Sequence, residues 1–276
     1  MLKSRRLKYV TLLLLGLILS WAISPAQAFW TLFGSDDKQG SKTDDTALQI
    51  CAAPQFYGPI NALSHSRTLP AFTPYFAPES TLYAILANQT RRCDVLLTTS
   101  ERYALLLMRS RRALPQDFKA FAKVPLVLFA HDPKLLADGN GQAVKAQRLQ
   151  SLALPKGELT PAGFAAAQVV ARSDFPTNYL KNRLYRAEQE YQVYAMVSSG
   201  NVQSGIVTLP LITRADGTTE GSYWLLPQDW YPELKVYALA LQGKAHATAV
   251  QWIEQLQTKP EVAASFSKQG FVMLEP

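Results

Sequence analysis

From residue 47 onward, apolar and polar positions follow two alternating periods along the chain. Continuous apolar runs at 48–53, 94–98, 126–130, 149–154, 205–208 and 235–241 have the length of buried strands. Segment 72–76 reads as an edge strand, because Pro74 cannot donate to a ladder. Helical spacing fills the intervals. Leu82, Ile85 and Leu86 recur at i, i+3, i+4 behind Ser80-Thr81, which predicts a helix capped by those hydroxyls. Further helices are expected at 60–65, at 101–108, at 163–171 behind Thr160-Pro161, and at 191–199 before Gly200. Ala249, Trp252, Ile253 and Leu256 mark one face of a late helix. Thr258-Lys259-Pro260-Glu261 reads as a capping box opening a last helix through Phe266, stopped by Gly270. Segment 54–59 reads as a loop around Gly58, and 138–141 as a turn.

Strands alternating with helices predict an α/β fold with mostly parallel sheets. Such sheets bind ligands beyond the carboxyl ends of their strands, beside helix N-termini. The surfaces to watch are therefore 53–58, 78–81, 98–100, 155–163 and 208–210.

The first residues set the compartment. Lys3, Arg5, Arg6 and Lys8 precede an apolar run from 9 to 23, and Pro25-Ala26-Gln27-Ala28 supplies a small-residue cleavage site. This reads as a secretory signal at 1–28 followed by a flexible, polar lead-in at 29–46. The run is shorter than the roughly 20 apolar residues a spanning helix needs. Removing 1–28 takes away four of the 28 basic residues and none of the 21 acidic ones, leaving 24 against 21, a net of +3. That balance is no nucleic-acid footprint. Arg109, Arg111 and Arg112 form the one tight basic cluster, at a helix end where cations complement the dipole.

Cys51 and Cys93 are compatible with a disulfide in an oxidising compartment and equally with two buried thiols. His65, His131 and His246 are scattered, and no metal-ligand spacing or cofactor motif occurs. A Gly-x-Ser-x-Gly elbow is absent, and His131 and His246 have no acid–base partner in sequence, which argues against a hydrolase.

In order along the chain, Ile50-Cys51-Ala52-Ala53 with Asn61-Ala62-Leu63, Ser80-Thr81-Leu82, Cys93 to Thr98, Pro125 to Ala130, Thr160-Pro161-Ala162-Gly163, Gly205-Ile206-Val207 and the tail from Lys259 to Phe271 resemble the periplasmic molybdate-binding proteins of ABC transporters. The resemblance implies a two-lobed periplasmic-binding-protein-like fold with two interlobe crossovers. Its lobes would be 47–129 with 213–276, and 130–212. It also implies a monomeric periplasmic carrier that binds a small oxyanion, such as molybdate or tungstate, in the cleft and delivers it to an ABC permease.

An oxyanion is held by neutral donors, meaning hydroxyls and the N–H groups of helix N-termini. Ser80, Thr81, Ala162 and Gly163 would supply them, with Gln192 near a further backbone donor and Thr208 in place of the family's tyrosine. Other positions depart from the pattern. The family's first-loop serine falls on Pro54 or Gly58, neither with a hydroxyl. Its second-loop serine aligns with Glu79, whose charge would repel an anion. Two alternatives stay open: a divergent carrier of an amine-bearing or aromatic solute, using Glu79 with Gln55, Phe56 and Tyr57, and an interaction module exposing Trp224, Trp230 and Tyr231.

Overall fold

The computed structural model describes residues 47–275; the leader and the lead-in read from the sequence lie outside them. The strands are β1 (Leu48–Ala52), β2 (Phe72–Phe76), β3 (Val95–Thr98), β4 (Ala113–Lys123), β5 (Leu126–Ala130), β6 (Leu152–Pro155), β7 (Leu184–Ala187), β8 (Ser204–Thr208), β9 (Ser222–Leu225), β10 (Lys235–Leu241) and β11 (Val272–Met273). They form one sheet in the order β11-β4-β10-β3-β1-β2 and another in the order β7-β6-β8-β5-β9. Each sheet is mixed rather than mostly parallel. β2-β1-β3 and β7-β6-β8 are parallel, while β10, β4, β11, β5 and β9 pair antiparallel. The antiparallel strands include the two that flank each crossing between the sheets.

The crossings sit side by side. β4 passes into β5 through Val124-Pro125, and β9 returns to β10 through residues 226–234. The Leu226 N–H donates to the Leu126 carbonyl at 3.1 Å, and the Val124 N–H to the Leu234 carbonyl at 2.9 Å. The Tyr231 hydroxyl accepts from the Leu126 N–H at 2.9 Å. Because β5 and β9 pair within the second sheet, residues 126–129 and 222–225, expected in the first lobe, belong to the second instead. Hydrophobic pattern alone could not place that seam, because β4 and β5 are separated by only two residues.

Side-chain alternation explains the layering. Leu126, Leu128 and Ala130 face the large core, which also takes in Leu152, Leu154 and the first sheet. Val127 and Phe129 face the other way and pack with Val193 and Val197. The helix His246–Thr258 buries Ala249, Trp252, Ile253 and Leu256, the stripe read from its spacing. Cys51 and Cys93 are joined by a disulfide that ties β1 to the start of β3.

Several local readings change. Residues 54–59 are helical, a 3-10 turn Pro54–Phe56 leading straight into the helix Tyr57–Ser64. The capping box at 258–261 does not form, because the Thr258 hydroxyl donates back to the Glu254 carbonyl and Lys259 is the N-cap. Trp224 and Tyr231 are buried rather than exposed; Trp224 stacks on Phe175 with ring centroids 6.2 Å apart. The interaction-module reading loses two of its three aromatics, and the third, Trp230, is half-buried against Trp224.

Candidate functional site

Two helices, one from each lobe, begin with a buried glutamate. Glu79 is the first residue of Glu79–Asn88, and Glu190 the first of Glu190–Ser198; each side chain is 8% exposed. An acid in a first helical turn complements the dipole, and most such acids do so from solvent. These two do not. Each lies beside the end of a parallel strand and accepts hydrogen bonds from its threonines.

Glu79 is held by three donors. The Thr99 N–H and the Thr99 hydroxyl both donate to its Oε1 at 2.7 Å, and the Thr98 hydroxyl donates to Oε2. Gln55, also buried, donates to the Thr99 hydroxyl at 3.4 Å. Glu190 accepts from the buried Thr208 hydroxyl at 2.7 Å. Burial is the largest influence on both groups, because it penalises the charged form. It pushes the Glu79 carboxyl up despite the opposing pull of the Thr98 and Thr99 donors. It pushes Glu190 up to about 7, with the Thr208 bond opposing and the charge of Glu79 adding to the rise. The charge of Glu79 is thus felt at Glu190, from the other lobe. Among the described residues, no Lys, Arg or His forms an ion pair with either.

Beside Thr99 opens a cavity of about 410 Å³. It is walled by 99–103 and 232–237 on one side and by 157–165 on the other, with Tyr103, Phe164 and Tyr237 as its aromatic surfaces. Glu101, Glu158 and Glu233 line it against Arg102 and Lys235, so its rim is also slightly acidic. Among the described residues, no cluster of three or more His, Cys, Asp or Glu could hold a metal ion.

The residues singled out from the sequence divide into three groups. Glu79 and Thr208 belong to the two buried carboxyl sites, one in each lobe, Thr208 as the donor to Glu190. Ala162 and Gly163 lie in the first turn of Pro161–Val170, between the cavity-lining Pro161 and Phe164 but not lining it themselves, and the Gly163 N–H is taken by the Thr160 hydroxyl at 3.0 Å. A β-carbon on Gly163 would stand 2.2 Å from the Lys156 carbonyl, so this glycine is required for packing. The remaining residues serve elsewhere. Ser80 and Thr81 are exposed on their first turn and do not cap it; the N-cap is Pro78. Gln192 accepts from the Gln189 N–H at 3.0 Å, one half of a capping box. A β-carbon on Gly58 would collide with Gln269 at 2.3 Å, which puts this residue in a helix contact. Pro54 opens the 3-10 turn and offers no N–H.

Glu190, Thr98 and Thr99 were not singled out as ligand groups. Glu188 and Glu190 stand two apart before the same helix, and only burial separates the exposed first from the enclosed second. His131 and His246 do find carboxylate partners, Glu220 at 3.2 Å and Asp117 at 2.7 Å. Neither histidine is hydrogen-bonded to a Ser or Cys among the described residues.

Residues 48–272 match a family described as bacterial extracellular solute-binding protein. The chain is 27% identical over 214 residues to the molybdate-binding protein ModA of Rhodobacter capsulatus, covering 77% of this chain and 82% of that protein. It is 24% identical to ModA of Azotobacter vinelandii, covering 76% and 84%. The solved periplasmic molybdate-binding protein of A. vinelandii superposes with a TM-score of 0.71 at 23% identity, over 83% of this chain and all of that one. The fold is thus of the two-lobed periplasmic-binding-protein type. The chain belongs to the bacterial extracellular solute-binding protein family, whose members carry solutes to ABC transporters and are not enzymes.

Proposed function

We propose that this protein is a periplasmic carrier for a small cationic solute. An ammonium or related cation would sit between Glu79 and Glu190, and the body of the solute would occupy the adjoining cavity. The carrying observation is two buried carboxyls, one from each lobe, neither of them ion-paired to a Lys, Arg or His among the described residues. A buried carboxylate is costly unless paired. A bound cation would restore the missing charge to both groups at once, so its binding energy would draw the lobes together. Tyr103, Phe164 and Tyr237 suit an aromatic or alkyl body, and their faces add cation–π attraction. The solute would then be handed to an inner-membrane ABC permease, a step that the family likeness supports.

A second reading is favoured by the relatives, two of which are named for molybdate. An oxyanion could meet the first-turn N–H groups at the same helix starts. It would also face both carboxyls, and would be tolerated only with each protonated.

A thermal-shift panel on the purified chain separates the two. Aryl- and alkylammonium solutes should raise the melting temperature of the wild type, and molybdate, tungstate and sulfate should not. Stabilisation by oxyanions alone would overturn the cation reading.

A further inference from the structure

The pole of the first lobe opposite the cleft carries a second cavity, of about 510 Å³. It lies at the start of β3 and the end of β10, whereas Thr98 at the other end of β3 faces Glu79. Four basic side chains reach it from three separate segments: Arg91 and Arg92 after the helix Glu79–Asn88, Arg112 ahead of β4, and Lys244 after β10. Asp94 is the one carboxylate in its lining, so the lining carries four positive charges against one negative, a net of +3.

That single acid is already engaged. Asp94 accepts from the Gln49 N–H at 2.8 Å and pairs with Arg92 at 3.1 Å. Arg91 stacks on Tyr75, 3.9 Å from the ring centroid, which holds its guanidinium in place and leaves its edge donors for a ligand. Arg112 and Lys244 have no carboxylate within ion-pair distance among the described residues. Arg112 belongs to the arginine cluster that sequence reading gave to a solvated helix end. A second feature adds to the same field. Gly243, Lys244 and Ala245 line the cavity and lead into the 13-residue helix His246–Thr258, which has no side-chain cap and no acid in its first turn. Its dipole adds positive potential there, offset in part by Asp117, which bonds His246 in the same turn at 2.7 Å.

We infer that this cavity is an anion site independent of the cleft, built for a phosphate-bearing group held by Arg91, Arg112 and Lys244. Guanidinium forks match phosphate oxygens in pairs, and the cavity is large enough for a pyrophosphate or a phospholipid headgroup.

The test uses the full secreted chain at low ionic strength, with two probes. One is pyrophosphate, titrated by calorimetry; the other is sedimentation with phosphatidylglycerol vesicles, against phosphatidylcholine vesicles as reference. Three proteins are compared with wild type. The Arg112→Ala/Lys244→Ala variant removes two of the proposed donors. Arg91→Gln removes the third by a milder change. Arg148→Ala/Arg186→Ala removes the same net charge from exposed positions on the other lobe. Saturable binding should weaken about tenfold or more in each cavity variant, the effect of losing a charge-assisted hydrogen bond, and stay unchanged in the control. Pyrophosphate binding alone assigns a soluble phosphate; added retention on phosphatidylglycerol assigns a headgroup. No saturable binding of either probe, or equal weakening in the control, overturns the site.

Discussion

The two lobes each open a helix with the same buried residue and treat it differently. In the first lobe Glu79 is braced by three donors from β3 and the residue after it, and the Cys51–Cys93 disulfide ties that strand to β1. In the second lobe Glu190 has a single donor, Thr208, and neither cysteine. Equal burial thus yields unequal carboxyls. One is an acceptor already built into the fold; the other is pushed up to about 7 by burial with less to offset it. Under the proposed function the first lobe would serve as a preformed half-site and the second as its responsive partner.

The largest effect should come from the disulfide. Opening a closure of 42 residues should cost about 4 kcal/mol. Denaturant unfolding of Cys51→Ala/Cys93→Ala should show that loss, and hydrogen exchange should locate it in β1 and β3 rather than in β6 or β8. Next, replacing each glutamate by leucine should give opposite signs. Glu79→Leu strands three donors and should destabilise by about 3 kcal/mol. Glu190→Leu removes a carboxyl that the fold strains to ionise, and should stabilise the ligand-free protein at pH 8. Losses of equal size in both variants would dissolve the contrast.

The pH dependence of the ligand-free protein carries the same sign. Folded Glu190 keeps its proton up to about 7 against an ordinary 4.5, so the folded state binds more protons in that window. Stability should therefore fall as pH rises from 4.5 to 7, by about 3 kcal/mol for this group, and level off above. Glu79, also raised, acts in the same direction. Urea midpoints of wild type and Glu190→Gln should diverge across the window, the variant remaining flat for this contribution. The smallest effect belongs to Thr208→Val. Losing that donor should cost about 1 kcal/mol in binding and push the Glu190 carboxyl higher still.

Most of the architecture was legible because period and composition agree in the interior. The runs that became β1, β3, β5, β8 and β10, and the stripe of Trp252 and its neighbours, are buried in both views. β4 was not legible. Its residues 113–123 include Pro115, Asp117 and Lys119, and its burial is interrupted, so it shows neither a continuous run nor a strict alternation. The site was half legible. Glu79 stood out because an acid occupied a place where a hydroxyl was expected. Glu190 did not, since an acid opening a helix ordinarily reads as a solvated dipole partner, and only tertiary packing encloses it. The serine and threonine at 80–81 misled for a related reason. Pro78 is the N-cap and Glu79 opens the helix one residue ahead of Ser80, so Ser80 and Thr81 both turn outward.

The most direct test is the pH slope of affinity for a small arylammonium solute, followed by calorimetry from pH 5 to pH 8 in buffers of different ionisation heat. If the cation binds between Glu79 and Glu190, affinity rises with pH through 7, binding releases a proton, and Glu79→Gln/Glu190→Gln weakens it by more than about a hundredfold. If that solute gives no heat, while molybdate binds and binds more tightly as pH falls, the cleft is an oxyanion site and the cation account is wrong.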